Sequence, residues 1–135
     1  MSTGRETFQK SERLCSRKTI AALFDEGEIF YLPLFKIVWL KSADVSPFPA
    51  RVAFSVSKKG FRNAVIRNLL KRRMREAYRK NKQAFYEFLL SEKMQVVFII
   101  IFRGDSVYDY QTIEKYMKEM LEKFCTVIGE QTGKC

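Results

Sequence analysis

Hydrophobic residues change their spacing several times along this chain, and each change marks an element. Ile20, Ala21, Leu23 and Phe24 recur at helical spacing, and Gly27 follows as the stop. Positions 35–41, FKIVWLK, mix aromatic and β-branched residues and predict a strand. Residues 44–49 hold two prolines among short polar residues and predict a loop. In 51–57, Val52, Phe54 and Val56 alternate with Arg51, Ala53, Ser55 and Ser57, the period of a strand. Past Gly60 the pattern turns helical from about 64 to 80, continuing or restarting over 83–90. Residues 96–102 form an unbroken apolar run rich in β-branched residues, as in a strand covered on both faces. Tyr110, Ile113, Met117, Met120, Leu121 and Phe124 then repeat at helical spacing with charges between them, which predicts an amphipathic C-terminal helix.

This order predicts an α/β domain, specifically a two-layer α+β sandwich. A mixed sheet of about four strands carries packed helices in the order α-β-β-β-α-β-α, with one long basic helix. A length of 135 residues corresponds to one domain. No repeat or second domain is visible. Residues 1–12 and 128–135 are expected to be mobile tails.

Charge sharpens the picture. Of the 25 residues 58–82, eleven are basic and only Glu76 is acidic, so this segment alone carries +10. The whole chain is also +10, so the other residues sum to zero. An excess confined to one segment is a surface for a polyanion. On a helical wheel Arg67, Asn68, Lys71, Arg72, Arg75 and Arg79 share one stripe, while Ile66, Leu70, Met74 and Ala77 share another. Arginine's planar fork suits phosphate. Asn68 within the stripe adds a directed hydrogen-bonding group. Ordinary solvated helix faces mix both signs, and this one does not.

The remaining composition excludes several chemistries. There is no histidine, which removes His-based triads, His general bases and most zinc sites. Cys15, Cys125 and Cys135 are odd in number and lack metal-ligand spacing, which fits a reducing compartment, and Cys15 and Cys125 are expected to be buried or idle thiols. Asp25, Glu26 and Glu28 form the one tight acidic group, which suits a solvated helix end better than a metal site. Asp105 and Asp109 flank a turn. Gly60 is not followed by the Gly-Lys-Ser/Thr of a phosphate loop. The start of the chain has no apolar run for a secretory signal. The longest apolar run, 96–102, falls far short of the roughly 20 residues of a membrane span.

The segments RVAFSVSKK at 51–59, NAVIRN at 63–68 and KRRMREAYR at 71–79 resemble the protein component of bacterial ribonuclease P. Arg13-Leu14 and the LFDEG of 23–27 add weaker similarity. The resemblance implies a small basic subunit that binds a catalytic RNA and assists removal of the 5′ leader from precursor tRNA. The protein alone is then inactive. It implies that the arginine-rich helix and its approach (Lys58, Lys59, Arg62, Asn63, Arg67, Asn68, Lys71, Arg72, Arg73, Arg75 and Arg79) face the RNA subunit. It also implies that a cleft between the first helix and the sheet (Phe24, Lys36, Val38, Arg51 and Ser55) holds the single-stranded leader, with Phe35 and Trp39 near it. Mg2+ is then held by the RNA, and the protein binds no cofactor of its own. The implied partners are the catalytic RNA and precursor tRNA, in the cytoplasm, with no membrane and no DNA. Three positions depart from the family pattern. Leu69 replaces the second arginine of an Arg-Asn-Arg motif, with Arg73 one turn away as a substitute charge. Ile20 stands where an aromatic is common, and Val38 occupies a third aromatic position. Two other readings use the same basic helix: a nonenzymatic structured-RNA-binding protein of ribosomal or chaperone type, and a membrane-surface protein.

Overall fold

The computed structural model describes residues 12–42 and 47–131. Among them the chain forms α1 (Arg17–Glu26), β1 (Glu28–Tyr31), β2 (Phe35–Ser42), β3 (Ala50–Val56), α2 (Ala64–Asn81), α3 (Gln83–Ser91), β4 (Gln95–Phe102) and α4 (Tyr110–Gln131). Local chemistry starts the helices. Ser16 Oγ accepts from the Thr19 amide at 3.2 Å, and Asn63 Oδ1 accepts from the Val65 amide at 2.8 Å. Asp109 Oδ1 accepts from the Thr112 amide at 2.9 Å where α4 begins. Gly27 ends α1 as expected, but not through a left-handed backbone, since its φ is −67°. A side chain there would press on the Leu23 carbonyl and come within 2.7 Å of Val38 Cγ1. The glycine is required by close approach of the chain to the sheet.

The sheet has the order β1-β2-β4-β3. β4 runs antiparallel to β2 and parallel to β3, with Trp39 opposite Phe98 and Val52 opposite the same residue. Alternate side chains point to opposite faces. Phe35, Ile37, Trp39, Val52, Phe98, Ile100 and Phe102 therefore join α2, α3 and α4 in the main core, with Leu70, Met74, Tyr78, Phe85, Ile113 and Phe124. Val38, Val97 and Ile99 face the other way and pack with Leu14 and Leu23, so α1 is the one helix among the described residues on that side. The apolar run of β4 is thus buried on both faces.

Both expected tails start differently. Positions 1–11 and 132–135 lie outside the described residues, but Glu12 is fully buried. Its carboxylate pairs with the buried Lys82 ammonium and accepts from the Tyr86 hydroxyl at 2.7 Å. Tyr78 donates in turn to Tyr86 at 3.0 Å. Burial is the largest influence pushing both tyrosines above their ordinary range. At the other end, α4 continues through the segment expected to be a tail, and Ile128 is fully buried. Cys15 is exposed rather than buried, and Cys125 is half-buried.

The Glu12–Lys82 pair ties the approach to α1 to the junction of α2 and α3. Lys82→Met would remove the cation beside a carboxylate with no water to solvate it. The expected loss is about 3–5 kcal/mol of unfolding free energy, seen as a lower urea midpoint with an unchanged slope.

Candidate nucleic-acid interface

The basic helix does not offer all of its charge to solvent. α2 buries Leu70, Met74, Ala77 and Tyr78 against the sheet and α4. Asn68, Arg72 and Lys80 are exposed, as are Lys58, Lys59 and Arg62 in the approach. Arg67, Lys71, Arg73, Arg75 and Arg79 lie half-buried along the border of the apolar face.

Several of these have partners within the fold. Arg67 Nη1 donates to the carbonyls of Phe61 at 2.8 Å and Arg62 at 2.9 Å. It braces the loop that holds Lys58, Lys59 and Arg62 at the start of α2. That loop is also closed by the Phe61 amide on the Ser57 carbonyl at 3.1 Å. Asn63, expected at the RNA surface, uses its Oδ1 as the cap of α2. Arg79 grips Glu76 through two nitrogens at 3.0 and 2.7 Å, which holds the Glu76 carboxyl below its usual range. Lys80 lies 4.0 Å from the same carboxylate. Arg73 donates to the Tyr108 carbonyl in the turn before α4. One nitrogen of the arginine expected to substitute for the one missing at Leu69 is therefore engaged on the α4 side. Arg67, Arg73 and Arg79 are thus engaged within the fold, while Arg72 and the approach residues Lys58, Lys59 and Arg62 are exposed.

The second set of residues converges on the α1 side of the sheet. Strand register places Tyr31, Lys36, Ile101 and Ser55 in one row across the four strands, with Ile29, Val38, Ile99 and Ala53 in the next and Leu40, Val97 and Arg51 in a third. α1 covers part of this face through Leu23, which is 0% exposed, while its neighbour Phe24 is 61% exposed. Lys36, Arg51 and Ser55 are half-buried. Val38 lies on the expected face but is buried beneath α1. It shapes the floor and is not open to a ligand. Phe35 and Trp39 point away into the main core, where Trp39 sits 5.4 Å from the Phe124 ring.

Tyr31 was missed in the sequence because β1 spans only four residues. Half exposed on the α1 side, it lies under the Arg103 guanidinium at 4.6 Å. The β-branched and aromatic run Ile29-Phe30-Tyr31 was the available signal. Among the described residues, no group of three or more His, Cys, Asp or Glu could hold a metal ion. No helix among them is long and apolar enough to cross a membrane.

A four-stranded mixed sheet with a one-sided cationic helix and a separate face bearing an exposed aromatic defines a nucleic-acid-binding α+β domain. The sequence model of the family described as Ribonuclease P matches residues 8–125. The "Ribonuclease P protein component" of Porphyromonas gingivalis is 34% identical over 121 residues, 88% of each chain. That of Petrotoga mobilis is 32% identical over 122 residues, covering 87% of this chain and 95% of that one. Among solved structures, the RNase P protein from Thermotoga maritima superposes with a TM-score of 0.66 at 24% identity, over 83% of this chain and 96% of that one. The Staphylococcus aureus RNase P protein gives a TM-score of 0.63 at 21% identity, over 84% and 94%. These two likenesses concern the fold. The chain belongs to the ribonuclease P protein family. It is the protein subunit of an endoribonuclease whose catalytic component is RNA, and that RNA is its partner.

The contact between Arg73 and Tyr108 makes a stability prediction. Arg73→Ala strands a carbonyl at the α2–α4 junction and should cost about 1–3 kcal/mol. Leu69→Arg should restore none of it. A double-mutant cycle read by urea unfolding checks both statements.

Proposed function

We propose that the two faces carry two different RNA strands. The first two thirds of α2, with its approach loop, bind the RNA subunit through Lys58, Lys59, Arg62, Asn68, Lys71, Arg72 and Arg75. The α1 side of the sheet holds the unpaired 5′ leader of precursor tRNA, with Phe24, Lys36, Arg51 and Ser55 as contacts. The Mg2+ used in cleavage is held by the RNA, and the holoenzyme works in the cytoplasm.

The observation that carries the leader reading is the contrast between adjacent residues of α1. Leu23 anchors the helix, while Phe24 leaves 61% of its surface open, on the side of the sheet that also carries the half-buried Lys36 and Arg51. Single-stranded RNA is commonly held by bases stacked on aromatic rings within a positive groove. An exposed phenylalanine contributes little to folding, so its ring is available for stacking. The α2 reading is supported by a cationic surface that the fold leaves largely in solvent. Cations in such positions act on phosphates through counterion release.

Reconstitution with the catalytic RNA tests both. Phe24→Ala should change stability by no more than about 0.5 kcal/mol. It should weaken binding of leader-bearing tRNA by about 1–3 kcal/mol and leave leaderless tRNA unaffected. Equal weakening of both ligands would overturn the leader assignment.

A separate measurement addresses the helix. The Lys71→Ala, Arg72→Ala double variant should flatten the dependence of RNA-subunit affinity on log salt by about 0.7–0.9 per lost phosphate contact. A folded double variant with the original slope would remove this stretch of α2 from the interface.

A further inference from the structure

The bend between β3 and α2 carries Lys58, Lys59 and Arg62, all exposed and close together in the chain. Like charges this near one another repel. Contacts of the bend itself oppose that repulsion. The Lys59 amide donates to Ser57 Oγ at 3.1 Å, the Phe61 amide donates to the Ser57 carbonyl at 3.1 Å, and the Phe61 ring meets that of Phe102 at 5.9 Å. Gly60, in the middle, is not demanded by geometry. A side chain there would meet the Ser57 carbonyl at 4.0 Å and otherwise open space, and the backbone is not in the left-handed region. Glycine at such a position adds freedom to the bend and relieves no strain.

Arg67 holds the bend from the helix. Its Nη1 donates to the Phe61 carbonyl at 2.8 Å and to the Arg62 carbonyl at 2.9 Å. Both carbonyls precede the Asn63 cap, so they lie outside the hydrogen-bond ladder of α2. They belong to the two peptides that flank Arg62. One guanidinium nitrogen therefore fixes the direction in which Arg62 leaves the chain, and it anchors the end of the bend that follows Lys58 and Lys59. The wheel puts Arg67 in one stripe with Asn68, Lys71 and Arg72, which are on or near the surface. Its hydrogen bonds give it a different task from theirs.

We infer that Arg67 is a positioning residue, which acts on the RNA subunit through Lys58, Lys59 and Arg62 by holding their bend in the binding geometry, and that Gly60 leaves the bend dependent on it. The inference rests on the reading of the approach loop as part of the RNA-subunit interface, and it says how that part is kept ready. A bend ordered for only a fraction of the time binds with its affinity reduced by that fraction. Charge-assisted hydrogen bonds are among the stronger ones in proteins, so loss of this pair should weaken RNA binding roughly tenfold.

The test measures affinity of the full chain for the RNA subunit across a salt series. The variants are Arg67→Ala, the triple Lys58→Ala/Lys59→Ala/Arg62→Ala, the two combined, and Arg67→Ala with Gly60→Ala. Urea unfolding sets the conditions under which each is folded. Arg67→Ala should weaken binding roughly tenfold and speed hydrogen exchange at the Phe61 amide in the free protein. In the triple background the same substitution should change neither affinity nor salt slope, because the groups it positions are gone. Gly60→Ala should recover part of the affinity lost with Arg67→Ala without restoring any charge. If Arg67→Ala does not fold, Arg67→Lys, which keeps the charge and loses the planar fork, takes its place in the same cycle. A further loss of slope of about 0.7–0.9 in the triple background would make Arg67 a phosphate contact in its own right and overturn the inference. Unchanged affinity in Arg67→Ala would overturn it too. A triple variant that binds as the wild type does, with the same slope, would instead remove the approach loop from the RNA interface.

Discussion

Everything in this molecule is arranged around β4. It has a β-neighbour on each side and apolar cover on each face, and it joins the antiparallel part of the sheet, through β2, to the parallel part, through β3. A parallel neighbour cannot be reached by a tight turn, so the chain must cross over between β3 and β4, and α2 and α3 make that crossing. The long basic helix is held against the sheet by this topological requirement. Its apolar face, with Leu70, Met74 and Tyr78, is committed to the main core. Its charged flank has nowhere to go but outward.

The opposite face of β4 sets the second surface. Val97 and Ile99 need cover, and α1 provides it through Leu23 while the approach to α1 contributes Leu14. A ten-residue helix cannot span the whole face. The row running from Tyr31 through Lys36 to Ser55 therefore borders the part of the sheet that α1 covers, and Phe24 is left standing at the margin of α1.

Cationic residues serve two ends, and position along α2 separates them. Near the C-terminus of α2, Arg79 and Lys80 meet Glu76, and Lys82 meets Glu12. Arg73 reaches the turn before α4. These contacts satisfy charge or close packing and leave less for a ligand. Toward the N-terminus, Arg67 folds the approach loop and so keeps Lys58, Lys59 and Arg62 together on the surface. The uncompensated repulsion there is the physical counterpart of a binding site for a polyanion.

By itself the sequence determined α1, α2 and α4, the positions of three of the four strands, the double burial of β4 and the existence of one polyanion-binding segment, and it left open whether α3 was a separate helix. Those follow from spacing and charge, which are local properties. It also marked Phe24, through a motif whose residues lie consecutively in the chain. Only the tertiary structure decided which members of each set are available. Wheel position set Arg73 apart from the stripe that holds the exposed Arg72, but did not show that Arg73 bonds to a carbonyl 35 residues away. Strand alternation did not say which face of β2 α1 would cover, so Trp39 looked open and is core, while Val38 looked like a contact and is a buried floor. Glu12 looked like part of a tail because its partner, Lys82, is 70 residues distant. Availability depends on what packs above a residue, and that is settled by contacts between segments far apart in the chain.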